Sequence, residues 1–342
     1  MRHILKIDNK IVISALSLCL AGNLLTGCGG TTSDSGITDT VIESQEATIV
    51  QEVESTDASS DTDSAAADEN KGTRDNTPVV LKPSADGTTT YGNDTAVIDA
   101  SNLSEGYIVI DYKGSNASPK LQIIGPQGLT YNFDLHGGEE VFNLTQGDGQ
   151  YQIGVYENTQ GDKYAQLTAC SVNLSLTNEF SPYLYPNSYV YFDENSNVVT
   201  VGEELAASAD TDLDVVTNIY NYIISNVSYD RELAANVNSM YLPYPDRTLE
   251  KKTGICFDYA SLMTALLRSQ RIPTRMQVGY SGDAYHAWIS TYIEDVGWVN
   301  SIVEFHGDTW ELMDPTLAST TSERDLRSYI GDGSKYTVCY EY

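Results

Sequence analysis

Gly254-Ile255-Cys256-Phe257-Asp258-Tyr259-Ala260-Ser261-Leu262-Met263-Thr264-Ala265-Leu266-Leu267, residues 254–267, is the stretch that decides how the second half of this chain is read. Cys256, Tyr259, Ala260, Met263, Leu266 and Leu267 recur at helical spacing, and Pro273 prevents the helix from running on. The helix therefore begins at the cysteine. A second helix is predicted over roughly 212–226, where Leu213, Val216, Ile219, Tyr220, Ile223 and Val227 follow helical spacing and Thr211 with Asp214 makes a capping pattern. Beyond Pro273 the pattern changes to strands, at 275–280, 285–293, 297–305 and 309–313, so this region is α+β.

The place of Cys256 carries chemical meaning. An unperturbed thiol with a pKa of about 8.5 is scarcely ionised at neutral pH, whereas a helix start and a neighbouring imidazolium stabilise the thiolate. A lone cysteine on a helix is more often a packed apolar residue, so its company matters. His286 lies on a predicted strand in Tyr285-His286-Ala287-Trp288, and Asp314 ends another in Leu312-Met313-Asp314-Pro315-Thr316. A nucleophile at a helix start, with a base and its orienter on neighbouring strands, forms a triad by role.

The order Gly254-Ile255-Cys256-Phe257-Asp258-Tyr259-Ala260, Ile272-Pro273-Thr274-Arg275, Val278-Gly279-Tyr280, His286-Ala287-Trp288 and Asp314-Pro315-Thr316 resembles the transglutaminase-like superfamily. The likeness covers roughly 180–320 and includes Tyr183-Leu184-Tyr185-Pro186-Asn187, similar to the approach segment of bacterial lipoprotein members. It implies a papain-like cysteine nucleophile at Cys256, a base at His286 and an orienting carboxylate at Asp314. Thiolate attack on a peptide or carboxamide carbonyl would then leave a thioester, which water or an amine resolves. The Cys256 amide is the expected oxyanion donor, and Tyr229 is a weaker candidate for a second. Arg271 departs from the pattern, because the family often has glycine there. Trp288 and Trp298 are expected to be packing aromatics, and His306 to sit solvated in a hairpin turn.

Ahead of this region, between Tyr91 and Thr177, the period is two. Tyr131, Phe133 and Leu135, Tyr151, Ile153 and Val155, and Val172, Leu174 and Leu176 alternate with polar residues, and glycine-rich turns recur between them. An all-β sandwich is expected over 78–178, followed by the transglutaminase-like domain over 179–342, each folding alone. The sandwich is read as a spacer rather than a glycan- or surface-binding module. His136 beside Glu139 and Glu140 is read as a turn histidine among solvated acids.

Residues 1–27 have the form of a bacterial lipoprotein signal peptide, with Arg2, Lys6 and Lys10 before the apolar run Ile11–Leu25 and Thr26-Gly27 before Cys28. Lipidation is expected at Cys28, which would anchor the protein to the extracytoplasmic face of the cell membrane. Residues 28–77 read as a disordered acidic tether, because Gly29–Thr77 sets twelve acids against Lys71 and Arg74 and holds no aromatic residue. All 24 Tyr, 6 Phe and 3 Trp of the 342 residues lie at or after Tyr91. With 48 Asp and Glu against 19 Lys and Arg, a formal charge of −29, nucleic acid is excluded as a partner. Protein, peptide or peptidoglycan substrates remain. No phosphate-binding loop or His-x-x-x-His spacing appears, so no cofactor and no metal is expected. Cys170 and Cys339 are read as unpaired core thiols in preference to a disulfide. The competing function is a non-catalytic cell-surface binding or adhesion protein that keeps this fold as a scaffold.

Overall fold

The computed structural model describes residues 4–6, 72–281, 284–294, 296–306, 309–312 and 336–342. Alternation of period two becomes strands β1 (Ile4–Lys6), β2 (Thr90–Gly92), β3 (Ala96–Asp99), β4 (Tyr107–Tyr112), β5 (Pro119–Ile124), β6 (Thr130–Asp134), β7 (Gly138–Asn143), β8 (Gly149–Gln160) and β9 (Lys163–Leu174). They form two antiparallel sheets, ordered β1-β9-β8-β5-β6 and β2-β3-β4-β7. Tyr131, Phe133, Tyr151, Ile153, Val155 and Leu174 are buried, as their alternation requires, and pack with Ile98, Ile108 and Ile110 of the other sheet. β6 is an edge strand.

The second half contains α1 (Asn197–Ala206), α2 (Asp212–Asn226), β10 (Ser228–Tyr229), α3 (Arg231–Asn236), α4 (Pro245–Lys251), β11 (Thr253–Gly254) and α5 (Cys256–Ser269). Strands β12 (Thr274–Ser281), β13 (Ala284–Ile293), β14 (Gly297–His306), β15 (Thr309–Leu312) and β16 (Tyr336–Glu341) build a sheet ordered β15-β14-β13-β12-β16. The cap expected for α2 is reciprocal: Asp214 N–H donates to Thr211 Oγ1 at 3.2 Å and Thr211 N–H to Asp214 Oδ2 at 2.9 Å. Helix α5 ends just before Arg271, whose φ of 64° is left-handed backbone. That conformation explains why glycine suits this position; the Arg271 side chain in turn pairs Nη1 with Asp75 Oδ2 at 2.9 Å.

This pairing changes the end of the acidic tract. Residues 72–77, read as disordered from their composition, are bound to the second half: Arg74 Nε pairs with Asp212 at 2.7 Å and Asn76 Nδ2 donates to Ala209 O at 3.1 Å. The average over many acids hides the specific hydrogen-bonding side chains of Thr73, Arg74, Asp75 and Asn76. No helix among the described residues is long and apolar enough to cross a membrane.

The upstream sheets and the α+β region share one hydrophobic core. Phe133 packs on Tyr342 and Tyr340 with ring centroids 6.0 Å apart in each case. Thr145 Oγ1 donates to Glu341 O at 3.1 Å, and Tyr183 Oη donates to Thr145 O at 3.0 Å. Arg268, 1% exposed, spreads its guanidinium over the carbonyls of Thr274, Tyr185 and Tyr342. It thereby joins the exit of α5 to the approach segment and the last strand.

Candidate active site

Cys256 is the first residue of α5, and the local sequence fixes that start. Asp258, at the third helical position, turns back so that Oδ2 accepts the Ile255 N–H at 2.9 Å. Ile255 has no side-chain acceptor to return the bond, so Asp258 alone caps this end. Gly254 is required by that turn, because a Cβ there would lie 2.6 Å from Asp258 Cβ. The other Asp258 oxygen accepts the Tyr241 hydroxyl at 2.6 Å, and Arg247 Nη2, which also donates to Tyr241 Oη at 3.1 Å, stands 4.0 Å away. Burial pushes the Asp258 carboxyl above its ordinary range, while Tyr241, the Ile255 amide and Arg247 pull it back.

His286 sits on β13, the middle strand of its sheet, and is 8% exposed. Its ring lies 6.4 Å from that of Trp288 at 28°. On β12 its register partner is Gly279, where a Cβ would collide with the Thr337 carbonyl of β16. Cys256 and His286 line one cavity of ≈ 130 Å³. Tyr229, Tyr285, Phe257, Tyr189 and Tyr342 give it an aromatic interior, and Asn238, Ser239, Asn132 and Asp134 supply polar groups. Burial is the main reason the Tyr285 phenol is pushed up.

The sequence-predicted residues divide cleanly. Cys256 and His286 are brought together around the cavity, and Tyr229 joins them there. Asp314 and Cys28 lie outside the described residues. Trp288 and Trp298 do not line this cavity: Trp288 Nε1 donates to Gln277 Oε1 at 2.9 Å, and Trp298 stacks beneath Arg275 at 3.7 Å. His306 is the last residue of β14, paired with Thr309 across the hairpin. His136 sits exposed in the turn between β6 and β7, as expected, but of its two acidic neighbours only Glu139 is solvated: Glu140 is buried, with Oε2 3.0 Å from His136 Nδ1, and His136 Nε2 lies 3.1 Å from Met240 O. The Glu140 bond raises its pKa against the opposing effect of burial. Cys170 and Cys339 are free thiols, both pushed up by burial, Cys170 to about 11. No group of three or more metal-ligating side chains occurs among the described residues. The sequence reasoning missed Tyr241, Asn132 and Asp134, none of which carries a local signal beyond its polarity.

Residues 199–301, which include Cys256 and His286, match the model of the transglutaminase-like superfamily. A 27% identical match over 139 residues is found in the uncharacterized protein YebA of Bacillus subtilis (strain 168), covering 34% of this chain and 19% of that protein. The chain thus spans about a fifth of the length of that relative. Among solved structures, a candidate cysteine protease of Cytophaga hutchinsonii is 17% identical with a TM-score of 0.36, covering 69% of this chain and 79% of the other. Red sea bream transglutaminase is 13% identical with a TM-score of 0.25, covering 61% of this chain and 48% of the other.

Proposed function

This chain carries a transglutaminase-like domain, and from that premise we propose that it is an extracytoplasmic, lipid-anchored thiol acyltransferase of the cysteine-peptidase or transglutaminase type. The observation that carries the proposal is the shared cavity, in which the first residue of a helix is a cysteine and the facing strand offers a histidine. The upstream sheets form a β-sandwich that belongs to the site, and Asp314 orients the imidazole. Residues 1–27 direct export, and lipid on Cys28 holds the mature chain at the membrane through the acidic segment that follows.

In the first step the Cys256 thiolate attacks a carboxamide or peptide carbonyl carbon, and an S–C bond forms. The oxyanion is met by the Cys256 amide at the helix start, a kind of donor whose removal typically costs about 2.7–4 kcal/mol. Protonated His286 then gives its proton to the leaving nitrogen, the C–N bond breaks, and ammonia or an amine departs from the thioester. Water or an amine, relieved of a proton by His286, attacks the thioester and restores the thiol. Hydrolysis or cross-linking follows according to which acceptor arrives.

The experiment is peptide-mapped alkylation of Cys256 by iodoacetamide as a function of pH. The wild type is expected to label well below the ordinary thiol range near pH 8.5. His286→Ala is expected to shift the curve upward, Asp314→Asn to lie between the two, and Cys256→Ala to lose the adduct. Three superimposable curves for wild type and the two partner variants would sink the triad and leave a non-catalytic surface-binding module in its place.

A further inference from the structure

One wall of the reactive cavity comes from outside the transglutaminase-like domain. Strand β6 of the upstream sheet is split by its own alternation. Tyr131 and Phe133 enter the hydrophobic core, while Asn132 and Asp134 line the cavity together with Cys256 and His286.

The outward face of an antiparallel sheet is ordinarily solvated. Here it is covered. Lys120 of β5 and Asp134 of β6 stand directly opposite each other, are 6% and 7% exposed, and form an ion pair. Beside them Gln122 Nε2 donates to Asn132 Oδ1 at 2.9 Å, so the two polar cross-strand pairs lie in adjacent same-face positions. Taking an ion pair out of water is costly, and a hydrophobic pair of similar volume would do as well or better for stability. A sheet that served only as a spacer would have no use for it.

The pair is also oriented. Asp134 lines the cavity and Lys120 does not, so the negative end is presented to whatever enters. Among the described residues that line the cavity none is a lysine or arginine. Asp134 itself is buried at 7% exposure, and a charge at such a position is screened less than one at the surface.

We propose that Asp134, backed by Lys120, is a specificity-determining residue of the site. It disfavours carboxylates flanking the carbonyl that Cys256 attacks, and it accepts uncharged or amine-bearing neighbours. The inference rests on the acyl-transfer reading of the cavity and adds a substrate class to it: amide or peptide bonds in neutral or basic surroundings, not in acidic peptides. The upstream sheet is then the selecting half of the site.

The test compares three methanethiosulfonate reagents of one chemistry, the cationic 2-aminoethyl, the neutral methyl and the anionic 2-sulfonatoethyl forms, on the full chain, with adducts mapped to Cys256. In the double variant Lys120→Met/Asp134→Asn, the cation-to-anion rate ratio is expected to fall roughly tenfold, with the neutral reagent as the baseline. Asn132→Asp keeps an acceptor for Gln122 and adds a second carboxylate to the wall, so its ratio should rise. This second variant carries the test if the double variant fails to fold. A ratio unchanged in the folded variants overturns the proposal while leaving the acyl-transfer reading intact. A wild-type Cys256 that reacts with none of the three removes that reading, and the role of the wall falls with it.

Discussion

Asp258→Asn separates two opposing influences on the start of the helix that carries Cys256. The carboxylate is 1% exposed, accepts the Ile255 N–H at 2.9 Å and the Tyr241 hydroxyl at 2.6 Å, and has Arg247 at 4.0 Å. Hydrogen bonds to a charged group contribute about 1.5–3 kcal/mol each, and an acid in the first helical turn adds about 0.3–1 kcal/mol. Asparagine keeps an acceptor for Ile255, weakens the Tyr241 bond and relieves the burial of a charge, so the net loss near neutral pH should be about 1–2 kcal/mol. Alanine strands both donors and should cost about 3–5 kcal/mol. The pH dependence has a definite sign. Burial raises the folded pKa of Asp258 above its unfolded value of 3.8, so folding favours the protonated form. Its contribution is fully present below the unfolded pKa and is lost as pH rises through the folded one. The deficit of Asp258→Asn should therefore be largest in acid and shrink as pH rises through that window, as followed by urea unfolding under tryptophan fluorescence. A deficit that grows with pH would show that Tyr241, Arg247 and the helix start outweigh burial.

His136 ties the segment around Met240, part of which lines the cavity, to the upstream sheet through two ring contacts, and only the imidazolium can donate at both. Its pKa is raised, so the tie is fully present below an unfolded value of about 6.5 and is lost as pH rises through the folded one. After correction for intrinsic exchange, hydrogen exchange over 237–242 should speed up across that window in the wild type and lose this pH step in His136→Ala; identical profiles would dismiss the tie. A chain beginning at Asn178 should lose its cooperative unfolding transition, because Tyr340 and Tyr342 give up Phe133 and the Thr145 bonds vanish; retention of a sharp transition would show that the α+β region folds alone. Cys28→Ala should move the protein from the membrane fraction to the medium or leave an unprocessed precursor, and an unchanged membrane-bound mature mass would end the lipoprotein reading.

What the sequence discloses about this site depends on how far apart its determinants lie. The start of α5 is legible because Gly254, Cys256 and Asp258 sit within a single turn, and α2 is legible because Thr211 and Asp214 cap each other three residues apart. Helix α1 is hidden, since Val198, Val199, Thr200, Val201 and Gly202 read against a helix. Tertiary contacts override that preference: Asp246 accepts the Asn197 and Val198 amides, and a Cβ on Gly202 would come within 2.8 Å of Ser269 Oγ. The cavity walls are hidden for a stronger reason. Asn132 and Asp134 have the alternation of a solvated strand face, and nothing local tells that Asp134 is buried. His136 meets Met240 across 104 residues, and Thr145 meets Glu341 across 196. Local spacing can therefore locate a cysteine at a helix start and a histidine on a strand, the pair proposed as nucleophile and base. The residues that line the rest of the cavity are set by packing between distant segments, so they are the part of this candidate site that a single sequence discloses least.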